Sequence, residues 1–212
     1  MRRRNSPVPR GFETMQPAFC AACVPCRVRS ARQRGFTLIE AMVVIAISAI
    51  LMAMAVPSMR QLIESNGVAN SVNGFVGSLS FARSEALKRG VSVTMCRSSD
   101  AQAASPTCEN AQDWQAGWIV FVDFNADGKR NAADGETVLR VQGSLERYGA
   151  VNQNENGVAI PSLRFDATGL MRTGASGFTF LPPSGATTSR RVACVNITGR
   201  TRLIAHPTES CS

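Results

Sequence analysis

The sequence predicts an α+β protein: one long N-terminal helix, membrane-spanning in its first half, packed on a C-terminal antiparallel β-sheet or β-sandwich domain. Three observations predict it. An apolar run ends at Val56, apolar residues then recur at helical spacing from Val68 to Leu87, and beyond Gly90 the chain breaks into short apolar-rich segments separated by turn residues. Helix first and strands after is the pattern of segregated α+β domains.

The chain is basic overall, with a formal charge of +8 over 212 residues. Its distribution matters more than its sum, because residues 1–35 hold eight arginines and one acid, Glu13, leaving the remainder nearly balanced. A high isoelectric point therefore does not by itself make the folded part a polyanion binder. The first element follows from Ala41 to Val56, which carry no charge; with Phe36 to Ile39 they reach the ~20 residues that span a bilayer as a helix. Arginines 27, 29, 32 and 34 precede it, which predicts a cytoplasmic N-terminus and an exported remainder on a single span.

Pro57 is placed for a kink. Val68, Val72, Phe75, Val76, Leu79, Ala82, Ala86 and Leu87 then mark one helix face, with Arg83, Glu85, Lys88 and Arg89 mostly turned elsewhere and Gly90 as the stop. One helix from Phe36 to about Arg89 would be roughly 80 Å long. Strands are predicted at 91–97, 117–124, 136–142, 159–166, 177–181, 192–196 and 200–205, with polar loops at 98–113 and 151–158. The chain thus divides into a leader at 1–35, a membrane helix at 36–57, an amphipathic helix at 58–90 and a β-rich domain at 91–212.

Cysteines divide the same way. Cys96, Cys108, Cys194 and Cys211 form an even set in the exported part, suited to two disulfides; three connectivities are open, and the local pairs Cys96–Cys108 and Cys194–Cys211 are favoured over free buried thiols. Cys20, Cys23 and Cys26 of the leader look like a metal motif without a fourth ligand.

Three readings compete for the apolar segment. It could be a plain anchor, or a secretory signal cut at Ala53-Met54-Ala55. The third reading rests on Gly35-Phe36-Thr37-Leu38-Ile39-Glu40, which resembles the signal of type IV pilins and pseudopilins. That resemblance implies cleavage after Gly35 by a prepilin peptidase, N-methylation of Phe36, retention of the helix, and a role for Glu40 in assembly with other pilins. Physical chemistry favours it, because a carboxylate in hydrocarbon costs about 2.5–3.5 kcal/mol on insertion scales and needs a partner. The amine created on Phe36 of a neighbouring subunit is such a partner; the alternative is Glu40 reaching up to the interface. Met15 as the start would leave a leader of ordinary length for that family.

The globular part narrows the resemblance. GFVGSLSFARSEALKRGVSVTMC at 74–96, WQAGWIVFVDFNADGKRNAADGETVLRV at 114–141 and GRTRL at 199–203 are together similar to the GspH/FimT group of minor pilins and pseudopilins. The resemblance implies a subunit present in few copies in a type IV pilus or, alternatively, in a type II secretion pseudopilus. It also implies double-stranded DNA contact through Gly199, Arg200 and Arg202, since DNA-uptake members carry a GRxR element there. Strand alternation would set Arg200 and Arg202 on one face, with Arg190 and Arg191 extending the patch and guanidinium groups meeting phosphates. The competing explanation is a charged, edge-protecting strand.

Asp123, Asn125, Asp127, Asn131 and Asp134 follow the spacing of a calcium loop with Gly128 at its sixth place. Arg130 at the eighth place and flanking strands favour a hairpin turn without metal. Trp114 and Trp118 read as core rather than as base-stacking platforms, and His206 as a surface residue. No catalytic set or cofactor fingerprint is present in the sequence, so an enzyme is not expected.

Overall fold

The computed structural model describes residues 35–109, 113–154, 160–204 and 211. Residues 1–34 of the leader, with its three cysteines and Met15, and His206 lie outside the described residues. The chain divides into two compact units, Met1–Ile45 and Ala46–Ser212.

Helix α1, Leu38–Arg89, begins in the first unit and supplies most of its length to the second. Thr37 starts it: the Glu40 N–H donates to Thr37 Oγ1 at 3.3 Å, a side-chain cap for a helix end that otherwise leaves its first N–H groups without acceptors. The helix continues through Pro57, and Gly90, with φ +66°, stops it. Apolar side chains from Leu38 to Ile63 are exposed, whereas Val68, Val72, Phe75, Leu79, Ala82 and Ala86 are buried. By length and composition α1 is a candidate membrane span.

Among the described residues eight strands follow, one more than the sequence predicts. β1 (Val93–Arg97), β2 (Trp118–Val122), β3 (Val138–Gln142) and β5 (Ser162–Phe165) make one antiparallel sheet in the order β3-β2-β1-β5. β4 (Ala150–Asn154), β6 (Ser176–Leu181), β7 (Arg191–Val195) and β8 (Thr201–Ile204) make a second, in the order β4-β6-β7-β8. The unpredicted strand is β4, which falls in the stretch expected to be a loop. It is an edge strand whose Val151 enters the core, and in its AVNQN sequence neither apolar alternation nor a β-branched run marks it.

One core joins the helix to both sheets. Phe75 is its centre, with ring centroids 5.6 Å from Trp114, 5.5 Å from Trp118, 4.6 Å from Phe178 and 5.6 Å from Phe180. Trp114 and Trp118 are thus core residues. β1 and β2 are buried on both faces: Val93, Met95 and Val120 meet the core, while Cys96, Ile119 and Phe121 form a second cluster with Ala101, under the loop of residues 98–109. The Cys96–Cys108 disulfide ties that loop to β1. A second disulfide joins Cys194 of β7 to Cys211.

Candidate functional sites

At the start of α1, Gly35, Phe36 and Glu40 are all exposed, and Phe36 is 84% accessible. The structure adds a participant the sequence reading passed over. Thr37 and Glu40 have the T-x-x-E spacing of a capping box, and Thr37 does cap the Glu40 N–H. That spacing was a readable signal, and it gives Glu40 a second favourable feature, a negative charge in the first turn of a helix.

The second candidate is the β7–β8 hairpin. Its turn, residues 196–200, is closed by the Asn196 N–H donating to the Arg200 carbonyl at 3.1 Å and the Arg200 N–H donating to Asn196 Oδ1 at 2.9 Å. Gly199 adopts φ +73°, and a Cβ there would come 2.8 Å from Phe165 Cε1 and 3.2 Å from Arg83 Cδ. The glycine of GRTR is therefore required by backbone conformation and by close packing. Arg202 lies opposite Cys194 in the register, and Arg200 and Arg202 are both exposed on a groove of about 450 Å³ shared with Cys194, Cys211, Ser176 and Ile204. Arg202 already engages another group of the chain, whereas the Arg200 guanidinium has no partner among the described residues.

Arg190 and Arg191 do not join this pair. Arg191 opens β7 opposite Phe180, and the turn carrying Arg200 begins beyond Val195, about 13 Å along the strand. Arg191 also shares its strand face with Ala193 and Val195, which enter the core, while Arg202 pairs with Cys194 on the other face. The expected four-arginine patch is thus corrected to a smaller site at the turn, because strand length and alternation separate its members.

The loop of residues 123–136 is held mostly by its own hydrogen bonds, although Asp123 Oδ1 is buried without a partner among the described residues. Asp123 Oδ2 accepts from Thr94 Oγ1 at 2.6 Å and from the Gly128 N–H at 3.0 Å. Asn125 Oδ1 accepts the Asp127 N–H, Asp127 Oδ1 the Lys129 N–H, and Asn131 Oδ1 the Ala133 N–H. Buried Glu136, outside the calcium spacing, accepts from the N–H groups of Phe124 and Asn131. Side chains that would converge on a cation instead hold backbone turns. No group of three or more potential ligands is assembled among the described residues.

Beside the hairpin turn lies a third turn, residues 166–171. Asp166 organises it, accepting from Thr168 Oγ1 at 2.6 Å, from the Thr168 and Leu170 N–H groups, and from Arg172 Nε at 2.6 Å. The Thr168 hydroxyl, the backbone N–H groups and the Arg172 guanidinium outweigh desolvation and hold its carboxyl down at about 2. The Met171 N–H donates to the Ile197 carbonyl at 2.9 Å, which links the two turns.

The family model for the type II transport protein GspH matches residues 71–199, more than half of the chain and every element from the amphipathic part of α1 to the hairpin turn. The chain belongs to the GspH family. A second model, the prokaryotic N-terminal methylation motif, matches residues 30–56 of this GspH-family chain. Its members are pilin-like structural subunits, so the chain is a minor pilin or pseudopilin of a type IV pilus or a type II secretion system. Among solved structures it is similar to the type IV minor pilin FimU of Pseudomonas aeruginosa in two crystal forms. Identity is 20% and 21%, coverage 66% of this chain and 89% and 91% of FimU, and the TM-scores are 0.49 and 0.46. The minor pseudopilin EpsH from the Type 2 Secretion System of Vibrio cholerae is 15% identical, with 67% of this chain and 98% of EpsH covered and a TM-score of 0.44. No curated protein matches the chain.

Proposed function

We propose that this GspH-family chain is a minor pilin of a type IV pilus, anchored in the inner membrane with its β domain in the periplasm until it enters the fibre, and that it contacts DNA for uptake through the hairpin turn. A prepilin peptidase cuts after Gly35 and Phe36 is N-methylated; Glu40 then receives the new amine of a neighbouring subunit. The observation that carries the assembly reading is the methylation-motif match, which coincides with the cap of an exposed apolar helix holding one acid in its first turn. Mass spectrometry of the mature chain tests it: N-methyl-Phe36 is the expected terminus. A chain beginning at Val56 would make the segment an ordinary signal and remove the reading.

The DNA contact is supported by the unpartnered Arg200 beside exposed Arg202 at an edge strand. Guanidinium–phosphate binding is insensitive to sequence and weakens steeply with salt. The detergent-solubilised mature chain should retard duplex DNA at low ionic strength. Equal retardation by the double variant Arg200→Gln, Arg202→Gln would show that the site lies elsewhere. A second reading, a pseudopilin of a type II secretion system, is favoured by the description of the matching family itself. Deletion phenotypes separate the two: loss of twitching and transformation supports the pilus, and loss of protein secretion supports the pseudopilus.

A further inference from the structure

The helix residue beneath the hairpin turn has the properties of a ligand-binding group. Arg83 of α1 is partly buried, with its Cδ 3.2 Å from the Cβ position of Gly199. Its Nε is shielded from solvent and has no hydrogen-bond partner among the described residues. Among the described residues no carboxylate pairs with it, because the two nearby acids are committed: Glu85 to Lys88 and Arg89, and Asp166 to Arg172 and its own turn. A guanidinium taken partly out of water without a counter-charge is unfavourable, and an incoming anion relieves that cost.

Arg200 is the residue after Gly199, and its guanidinium is likewise unpartnered. The two side chains rise from different elements, α1 and the β7–β8 turn, and the outer part of the Arg83 side chain, at Cδ, lies against Gly199, the residue next to Arg200. Close contacts tie the turn to its neighbours: Gly199 packs on Phe165, Gly169, with φ +76°, packs on Leu87, and the Met171 N–H donates to the Ile197 carbonyl. Arg202, by contrast, already has an engagement within the chain.

We infer that Arg83 and Arg200 together form a two-guanidinium clamp for one phosphodiester of nucleic acid, so that the DNA path runs from the hairpin turn toward the end of α1 and not along β7 to Arg190. This rests on the DNA reading above, and it assigns the contact to a different pair of arginines. Two forks on one phosphate give a charge-assisted site of defined geometry.

The test measures affinity of the full mature chain in detergent for a fluorescent 30-base-pair duplex from about 50 to 200 mM salt, with near-UV circular dichroism as the folding control. Each phosphate contact contributes about 0.9 to the slope of log affinity against log salt. Arg83→Gln should weaken binding about tenfold at low salt, as Arg200→Gln does; because both groups meet one phosphate, the full loss of about one in the slope is expected only in the double variant Arg83→Gln, Arg200→Gln. Arg83→Lys keeps the charge but not the fork; it should retain the slope and bind several-fold more weakly. A wild-type slope and affinity in Arg83→Gln, with binding reduced in Arg200→Gln, overturns the clamp and leaves the DNA reading standing. If Arg83→Gln does not fold, wild-type affinity in Arg83→Lys overturns it equally. Absence of DNA binding in the wild type removes the DNA reading itself.

Discussion

Replacing Phe75 by alanine should uncouple the helix from both sheets. Phe75 is fully buried and makes edge-on or tilted contacts with Trp114, Trp118, Phe178 and Phe180. Truncating a buried phenylalanine costs about 3–5 kcal/mol through lost transfer energy and the cavity that remains. Each aromatic pair contributes about 0.5–1.5 kcal/mol beyond its area, which places this site at the upper end. For a domain of this size each kcal/mol lowers the melting temperature by roughly 2–4 °C, so a fall of about 8–20 °C is expected. Near-UV circular dichroism of the solubilised chain reads it directly, because Trp114 and Trp118 lie in the affected cluster. Ile197→Ala, at an exposed turn position, is the control and should change stability by no more than about 0.5 kcal/mol. A Phe75→Ala loss below about 1 kcal/mol, or one no larger than the control, would refute a single core centred on this ring.

Glu40→Ala should leave membrane insertion and cleavage intact but abolish incorporation, with the variant found in the membrane fraction and missing from sheared fibres; normal incorporation would disprove an assembly role for the carboxylate. Gly199→Ala combines a left-handed backbone with a Cβ 2.8 Å from Phe165 Cε1, and should destabilise the domain by about 1–3 kcal/mol in urea titration. Asp166 is held from an ordinary 3.8 down to about 2, so its stabilising effect is complete above the ordinary value and is lost as pH falls toward about 2. Asp166→Asn should accordingly lower stability at pH 6, and the gap to wild type should shrink in acid; a constant gap would mean that the side chain acts by shape alone.

Much of the fold was legible because two periodicities dominate it. Val68 to Leu87 repeat at helical spacing, and the buried members of that set in the structure are Val68, Val72, Phe75, Leu79, Ala82 and Ala86. β1 and β2 read as apolar runs because they are covered on both faces, by the helix and by the disulfide-tied loop. β4 was illegible for the complementary reason: an edge strand needs little apolar surface, and AVNQN owes its pairing to β6 more than to its own preferences. The division into two sheets was equally hidden, since alternation reports which faces are buried and not which strands are neighbours.

The candidate sites show the same boundary. GRTR could be read as two exposed arginines on one face, and the structure has both exposed along one groove, but strand spacing could not show that Arg202 is already engaged or that Arg190 and Arg191 belong to the far end of the hairpin. Arg83 was invisible as a functional residue because the helical repeat sorts it with the charges turned away from the core. What changes its meaning is a glycine far along the chain whose positive φ lets the β7–β8 turn lie against its side chain. A helix pattern reports the burial of its own face; it carries no record of what a later turn will set on the residues at that face's edge. The clamp is therefore a tertiary property, assembled from one residue that sequence motifs highlight and one that they pass over.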